Sequence, residues 1–193
     1  MQKEKIALDH FFENLDLETA EQLFALLKEC KGLIIFTGIG KSGLVAEKIS
    51  LTMTSTGSRA CYMSAASALH GDIGMVSRDD IFIMISKSGE SDELLQMIPF
   101  LRNKGVKIVA IVNNHESRLA KACDLKVILP LEEELCPFNL APTTSTVIQL
   151  IFGDVLAIAL MMHKKFSLSE FAMNHPAGKI GRQLTMRVKD LML

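Results

Sequence analysis

The sequence predicts an α/β fold, a five-stranded doubly wound parallel sheet flanked by helices in three layers. Two observations carry this expectation. Short apolar runs closed by glycine or small polar residues recur along the chain, and segments with helical spacing of apolar residues alternate with them. The run 33–36, Leu-Ile-Ile-Phe, passes through Gly38, Gly40 and Gly43 directly into a helix, as a strand buried on both faces of a parallel sheet would.

Taken in order, residues 2–15 and 17–29 read as two helices. Asp16 is placed to cap the second, and Leu23, Leu26 and Leu27 give it an apolar face. A helix over 41–56 ends at Gly57, and 59–63 forms the second strand. A stretch of small residues, 64–69, leads to His70-Gly71-Asp72 without a clear period. The third strand, 81–85, enters Ser86-Lys87-Ser88-Gly89-Glu90-Ser91, and a helix over 92–103 stops before Gly105. Strand 107–112, a short helix at 117–122 and strand 125–129 complete the alternation, with right-handed crossovers expected throughout. Pro130 ends the last strand, residues 131–140 form an acidic loop, and Pro142 suits the first turn of the long apolar helix that follows.

Composition narrows the partner. With 193 residues, 49% hydrophobic, and a formal net charge of −1, the chain suits one well-cored domain without a footprint for nucleic acid or anionic membrane. Cys30, Cys61, Cys123 and Cys136 show no metal or redox spacing and read as reduced thiols in the cytoplasm. The N-terminus mixes charged and apolar residues rather than forming a signal peptide. Residues 143–163 are apolar enough to resemble a membrane span, but they hold Gln149 and Asp154 near the middle. A central aspartate costs about 2.5–3.5 kcal/mol in lipid, so a helix packed on protein, including another subunit, is expected.

The loop after the first strand aims backbone N–H groups, a helix dipole and the Lys41 ammonium at whatever lies above the strand end. It lacks the first glycine of a Walker A loop, where Ile35 stands. Its Gly38-x-Gly40-x-x-Gly43 spacing fits a dinucleotide fingerprint, but the next strand ends in Ser64-Ala65-Ala66 without the ribose-binding acid. A phosphorylated small molecule is the better ligand. Ser42, Ser86, Ser88 and Ser91 add hydroxyl donors at the same sheet edge, and Gly89 allows close approach of an anion. Glu90 is unwelcome beside that anion unless it does chemistry or pairs with Lys41 or Lys87. Glu132, Glu133 and Glu134 read by composition as a solvated charge run, and His70 and His175 as loop imidazoles that are either functional or inert.

Five segments in this order resemble the sugar isomerase (SIS) domain of arabinose 5-phosphate isomerases: Gly38-Ile-Gly-Lys-Ser-Gly43, His70-Gly-Asp-Ile-Gly-Met75, Ser86-Lys-Ser-Gly-Glu-Ser91, Glu134-Leu-Cys-Pro137 with Leu140-Ala-Pro-Thr143, and His175-Pro-Ala-Gly178 with Gly181-Arg182. The resemblance covers residues 21–193. Lys87 stands where that family usually has Asn, and Ala177 where it often has Gly. The resemblance implies a Rossmann-like three-layer domain over 1–186, with 187–193 as the start of an absent CBS regulatory region. It further implies interconversion of D-ribulose 5-phosphate and D-arabinose 5-phosphate for Kdo and lipopolysaccharide synthesis, without metal or cofactor, in a homotetramer.

Carried over by position, it implies Lys41, His70, Glu90, Glu134 and His175 as catalytic, and Gly40, Ser42, Ser86, Ser88, Ser91 and Thr143 as substrate-binding. Isomerisation through an enediolate needs a base, a donor or cation near O1 and O2, and help in opening a furanose ring. Glu134 is assigned as base, Lys41 as electrostatic stabiliser, His175 as the ring-opening or oxygen-protonating group, and Glu90 and His70 as supporting groups. The rival readings are a non-catalytic sugar-phosphate sensor and a phosphohexuloisomerase. A sensor would be expected to lose the acid–base set or to gain a DNA-binding extension.

Overall fold

The computed structural model describes residues 1–176, 178 and 181. Five strands, β1 (Ile34–Gly38), β2 (Ala60–Tyr62), β3 (Ile81–Ser86), β4 (Lys107–Val112) and β5 (Leu125–Ile128), form one sheet in the order β2-β1-β3-β4-β5, all neighbours parallel. Every residue of β1 and β3 is buried, as continuous apolar runs covered on both faces require. The strand order reverses between β1 and β3, whose register pairs Gly38 with Ile85. The crevice at their carboxyl ends is the place where such sheets bind ligands.

Alternation within the strands divides the core. Phe36, Ile83, Ile85 and Ile111 face one side, where α1 (Gln2–Asn14), α2 (Leu17–Lys28), α3 (Gly40–Ser55) and α7 (Thr144–His163) pack through Phe11, Leu23, Leu27, Ile49, Met53, Phe152 and Leu160. Ile35, Phe82, Met84 and Ala110 face the other, under α4 (Ala65–Leu69), α5 (Asp92–Lys104) and α6 (Arg118–Ala122). A last short helix, α8 (Leu168–Asn174), opens with a capping box between Ser167 and Glu170.

Most expected boundaries hold within a residue or two. Asp16 caps α2 by accepting from the N–H groups of Glu18 and Thr19, and Gly57 and Gly105 both take positive φ after helix ends. Two features differ. The small-residue stretch folds as α4, followed by a 3-10 turn (Asp72–Met75), because its alanines can pack closely although they carry no visible period. Pro142 lies outside α7 rather than in its first turn, since Thr143 is the N-cap and an acidic side chain from the preceding loop takes up the free N–H groups there. Residues 187–193, read as the opening of a CBS region, lie outside the described residues, as do Ala177 and Arg182.

Helix α7 is long and apolar enough to cross a membrane by length and composition. Here it packs against α3, α2 and α1: Gln149 is buried, and Asp154 is paired with Lys48 of α3 at 2.5 Å. Its outward side chains Val155, Ile158 and Met162 remain exposed, and Val155 lines a groove of about 360 Å³ with Phe12, Leu15, Leu17 and Phe24.

Candidate active site

The two glycine- and serine-rich loops leave β1 and β3 side by side. A Cβ on Gly43 would lie 2.7 Å from the Gly38 carbonyl oxygen, and one on Gly38 would lie 2.9 Å from the Ile85 carbonyl oxygen, so neither position admits a side chain. This close approach brings the first turn of α3, with exposed Gly40 and Lys41 and buried Ser42, against the end of β3. In the second loop the buried Ser86 hydroxyl accepts from the Gly89 N–H at 3.0 Å and lies 3.5 Å from the Ser91 hydroxyl. Ser88 accepts from the Glu90 N–H at 3.2 Å. Gly89 has φ 67°, and a Cβ there would strike Ser117 at 2.2 Å. Helices α3 and α5 both start here without a side-chain cap, so their N-terminal N–H groups remain for an anion.

Glu90 is paired with α6. Of the two readings left open for it, chemistry or a pairing with Lys41 or Lys87, the pairing is with neither lysine: the carboxylate accepts from Arg118 at the start of α6, at 2.9 Å from the backbone N–H and 2.5 Å from Nε. The Arg118 side-chain hydrogen bond, then its backbone N–H, holds Glu90 below the usual carboxylate range. That arrangement ties loop to helix and gives the carboxylate a cationic partner beside an anion site.

The acidic loop separates its three glutamates sharply. Glu132 and Glu133 are exposed and face α1, 3.8 Å from His10 and 3.0 Å from Lys3. Glu134 is completely buried. Five donors surround it: Oε2 accepts from the Thr143 N–H (2.9 Å), the Thr143 hydroxyl (3.2 Å) and the Ser145 N–H (3.0 Å), while Oε1 accepts from the Ser145 hydroxyl (2.6 Å) and the Lys87 ammonium (2.8 Å). Asn139, in a left-handed conformation at φ 54°, folds the loop back and accepts from the Glu134 N–H at 2.8 Å. Burial alone would raise this carboxyl, but Lys87, Ser145 and Thr143 together hold it down at about 2. Thr143, expected to touch substrate, donates its N–H to Glu134, while its hydroxyl lies within reach of both Glu134 and the Ala141 carbonyl oxygen at 3.3 Å.

This environment has a measurable consequence. A carboxyl lowered from 4.5 to about 2 stabilises the fold above pH 4.5, and that stability is lost as pH falls through 2. The full contribution is about 3 kcal/mol. Urea midpoints of the wild type and Glu134→Gln should differ most near pH 6 and converge as the buffer is taken toward pH 2; a constant difference would show that Glu134 is not held ionised by the fold.

Two of the expected site residues make no side-chain contact with the others among the described residues. His70 follows α4, exposed, with no side-chain partner among the described residues. His175 follows α8, where its ring stacks on Phe171 at 4.1 Å and Nδ1 lies 2.8 Å from the Phe171 carbonyl oxygen. The preceding Asn174 donates to the Ser55 carbonyl at the far end of α3, the opposite edge of the sheet from Lys41. Conversely, Lys87, Asn139 and Ser145 shape the Glu134 environment and were not expected to. The Thr143-Thr144-Ser145 run before an apolar helix was the one local signal available, since such residues favour helix N-termini.

Residues 26–159 match the family model described as the SIS domain. The chain belongs to the SIS domain family. Among curated SIS relatives it is 45% identical over 190 residues to the arabinose 5-phosphate isomerase KpsF of Escherichia coli O6:H1, covering 98% of this chain and 58% of that protein. It is 41% identical over 167 residues to the arabinose 5-phosphate isomerase KdsD of Pseudomonas aeruginosa, covering 86% and 51% respectively. The chain thus spans little more than half the length of these relatives. A solved structure, E. coli CFT073 c3406 in complex with arabinose 5-phosphate, superposes with a TM-score of 0.88 at 38% identity, covering 91% of this SIS chain and 93% of the other.

Proposed function

We propose that this SIS domain is an aldose–ketose isomerase interconverting D-arabinose 5-phosphate and D-ribulose 5-phosphate. The observation that carries the reading is Glu134, a buried ionised carboxylate beside the loop that continues β3, at the sheet edge where the two anion-suited loops meet. The names of KpsF and KdsD and the arabinose 5-phosphate complex of c3406 support the same substrate. Phosphate binds at the uncapped starts of α3 and α5 with Ser42, Ser86, Ser88 and Ser91. Glu134 takes the proton from C2 of the open-chain aldose as the C1 carbonyl becomes part of an enediolate, a proton passes from the C2 hydroxyl to O1, and Glu134 returns its proton to C1 as the C2 carbonyl forms, giving the ketose. Lys41, exposed at the start of α3, faces the developing oxyanion with its fixed positive charge. His175 opens the furanose or protonates oxygen, in the site of another copy of the chain. His70 and Glu90 support, Glu90 by fixing the phosphate loop through Arg118.

In the cell this reaction feeds Kdo and lipopolysaccharide synthesis in the cytoplasm, with residues 1–186 as the catalytic domain and 187–193 opening a CBS region. The exposed apolar strip of α7 and its groove against α1 and α2 support a homotetramer. Light scattering should return four copies at micromolar concentration, and a monomer would refute the assembly.

NMR of the chain mixed with D-arabinose 5-phosphate tests the activity, by appearance of ribulose 5-phosphate. In D₂O, deuterium at the reprotonated carbon marks an enediolate exchanging with solvent. Binding without conversion would show a sensor instead. Because phosphate is the handle, unphosphorylated arabinose should react at a negligible rate, and Ser88→Ala should raise KM while leaving kcat nearly unchanged. Comparable turnover of the two sugars would refute the handle.

A further inference from the structure

We propose that Lys87 is a positioning residue for this reaction: its ammonium holds Oε1 of Glu134 in the resting chain and leaves it for the anionic substrate, so that anion entry frees the base. The inference rests on the proposed isomerase reading.

A base needs a free lone pair, and Glu134 has five donors around it. Two of them, the backbone N–H groups of Thr143 and Ser145, cannot leave. Thr143 is the N-cap of α7 and Ser145 lies in its first turn, and the hydroxyls of these two residues can rotate but not withdraw, with Ser145 fully buried. Lys87 is different in kind. It comes from the β3 loop, its side chain is one-third exposed while Glu134 is not exposed at all, and with Ser88 it lines a cavity of about 420 Å³ between Asn113, Leu131 and Asn139. Among the described residues the ammonium has no protein partner except Glu134, which leaves two of its three N–H bonds for a ligand. A flexible four-carbon stem can swing this charge toward an incoming dianion at little cost.

The other charged or titratable groups near the pair are few. Glu132 lines the same cavity, Glu4 of α1 accepts from the Thr144 hydroxyl at 2.8 Å, and the Cys136 thiol lies two residues beyond Glu134. None replaces Lys87 as a cation. Removing Lys87 therefore leaves Glu134 buried and raises its tendency to protonate, so the base form is lost at higher pH than in the wild type.

The test is isomerase kinetics against pH for the wild type, Lys87→Met, Lys87→Gln and Lys87→Arg. Variant-to-wild-type ratios cancel the ionisation of the substrate phosphate. Lys87→Met should raise KM roughly 10- to 100-fold, the usual worth of one charge-assisted hydrogen bond, and should lose kcat/KM on the acid side at least about one pH unit higher than the wild type. Lys87→Gln keeps an N–H for Glu134 should the Met variant fail to fold, and should show the same rise in KM with a smaller acid shift. Lys87→Arg keeps the charge and should leave the acid limb in place. Wild-type KM and acid limb in both neutral variants would overturn the proposal, as would a collapse of kcat with KM unchanged, the mark of a merely structural pair. A wild type that turns over no sugar phosphate would instead overturn the isomerase reading.

Discussion

Glu134→Gln is expected to lower kcat roughly 10²–10⁴-fold, the usual worth of a general base, while Glu132→Gln and Glu133→Gln stay within about threefold of the wild type. The contrast follows from where the three side chains lie. Glu132 and Glu133 reach exposed partners on α1, and exposed pairs contribute little. Glu134 is buried with every oxygen engaged. Glutamine keeps its shape and one carbonyl oxygen, which the Thr143 and Ser145 N–H groups will claim because they cannot turn away. The amide NH₂ then points at Lys87 and the Ser145 hydroxyl; the hydroxyl can rotate to accept, but the ammonium must leave. The variant should fold, bind phosphate and fail to move the carbon-bound proton. Circular dichroism and KM measured on the same preparation separate lost chemistry from lost structure. Full turnover by Glu134→Gln would move the base out of this loop altogether.

What the sequence shows and hides here follows from the range of each interaction. The strands β1 and β3 are runs of bulky apolar residues that can only be buried, and the glycines and serines after them carry their conformational meaning locally, so the sheet and the crevice at its switch point were readable. Glu134 was not readable from composition, because its neighbours Glu132 and Glu133 are chemically identical to it; only the resemblance to a family singled it out. Its burial depends on the turn at Asn139, the start of α7 and Lys87 from 47 positions earlier, none of which leaves a periodic trace. The same holds for Glu90, whose partner Arg118 lies 28 positions away. Alanine-rich α4 was missed for the opposite reason, since small residues pack without announcing a face.

His175 supplies the second large expected effect, because its position in a single chain is incompatible with the role proposed for it. Helix α7 starts beside Glu134 and its 20 residues carry the chain about 30 Å alongside α3. Asn174 is then fastened to Ser55, the last residue of α3, roughly 20 Å along that helix from Lys41 in its first turn. An imidazole adjoining that anchor does not reach its own Glu134. It can reach the site of a second copy, and the exposed apolar face of α7 gives such a copy a surface to rest on. Chains carrying His175→Ala and chains carrying Glu134→Gln should each be inactive alone. A two-fold pair holding one of each then contains one site with both groups intact and one with neither, so an equal mixture that exchanges subunits freely should recover about a quarter of wild-type activity. Exchange is verified by mass spectrometry of differently tagged chains. If exchange is complete and the mixture is no more active than its parents, His175 and Glu134 act in the same chain or His175 does not act at all; activity in the His175→Ala parent decides between the two.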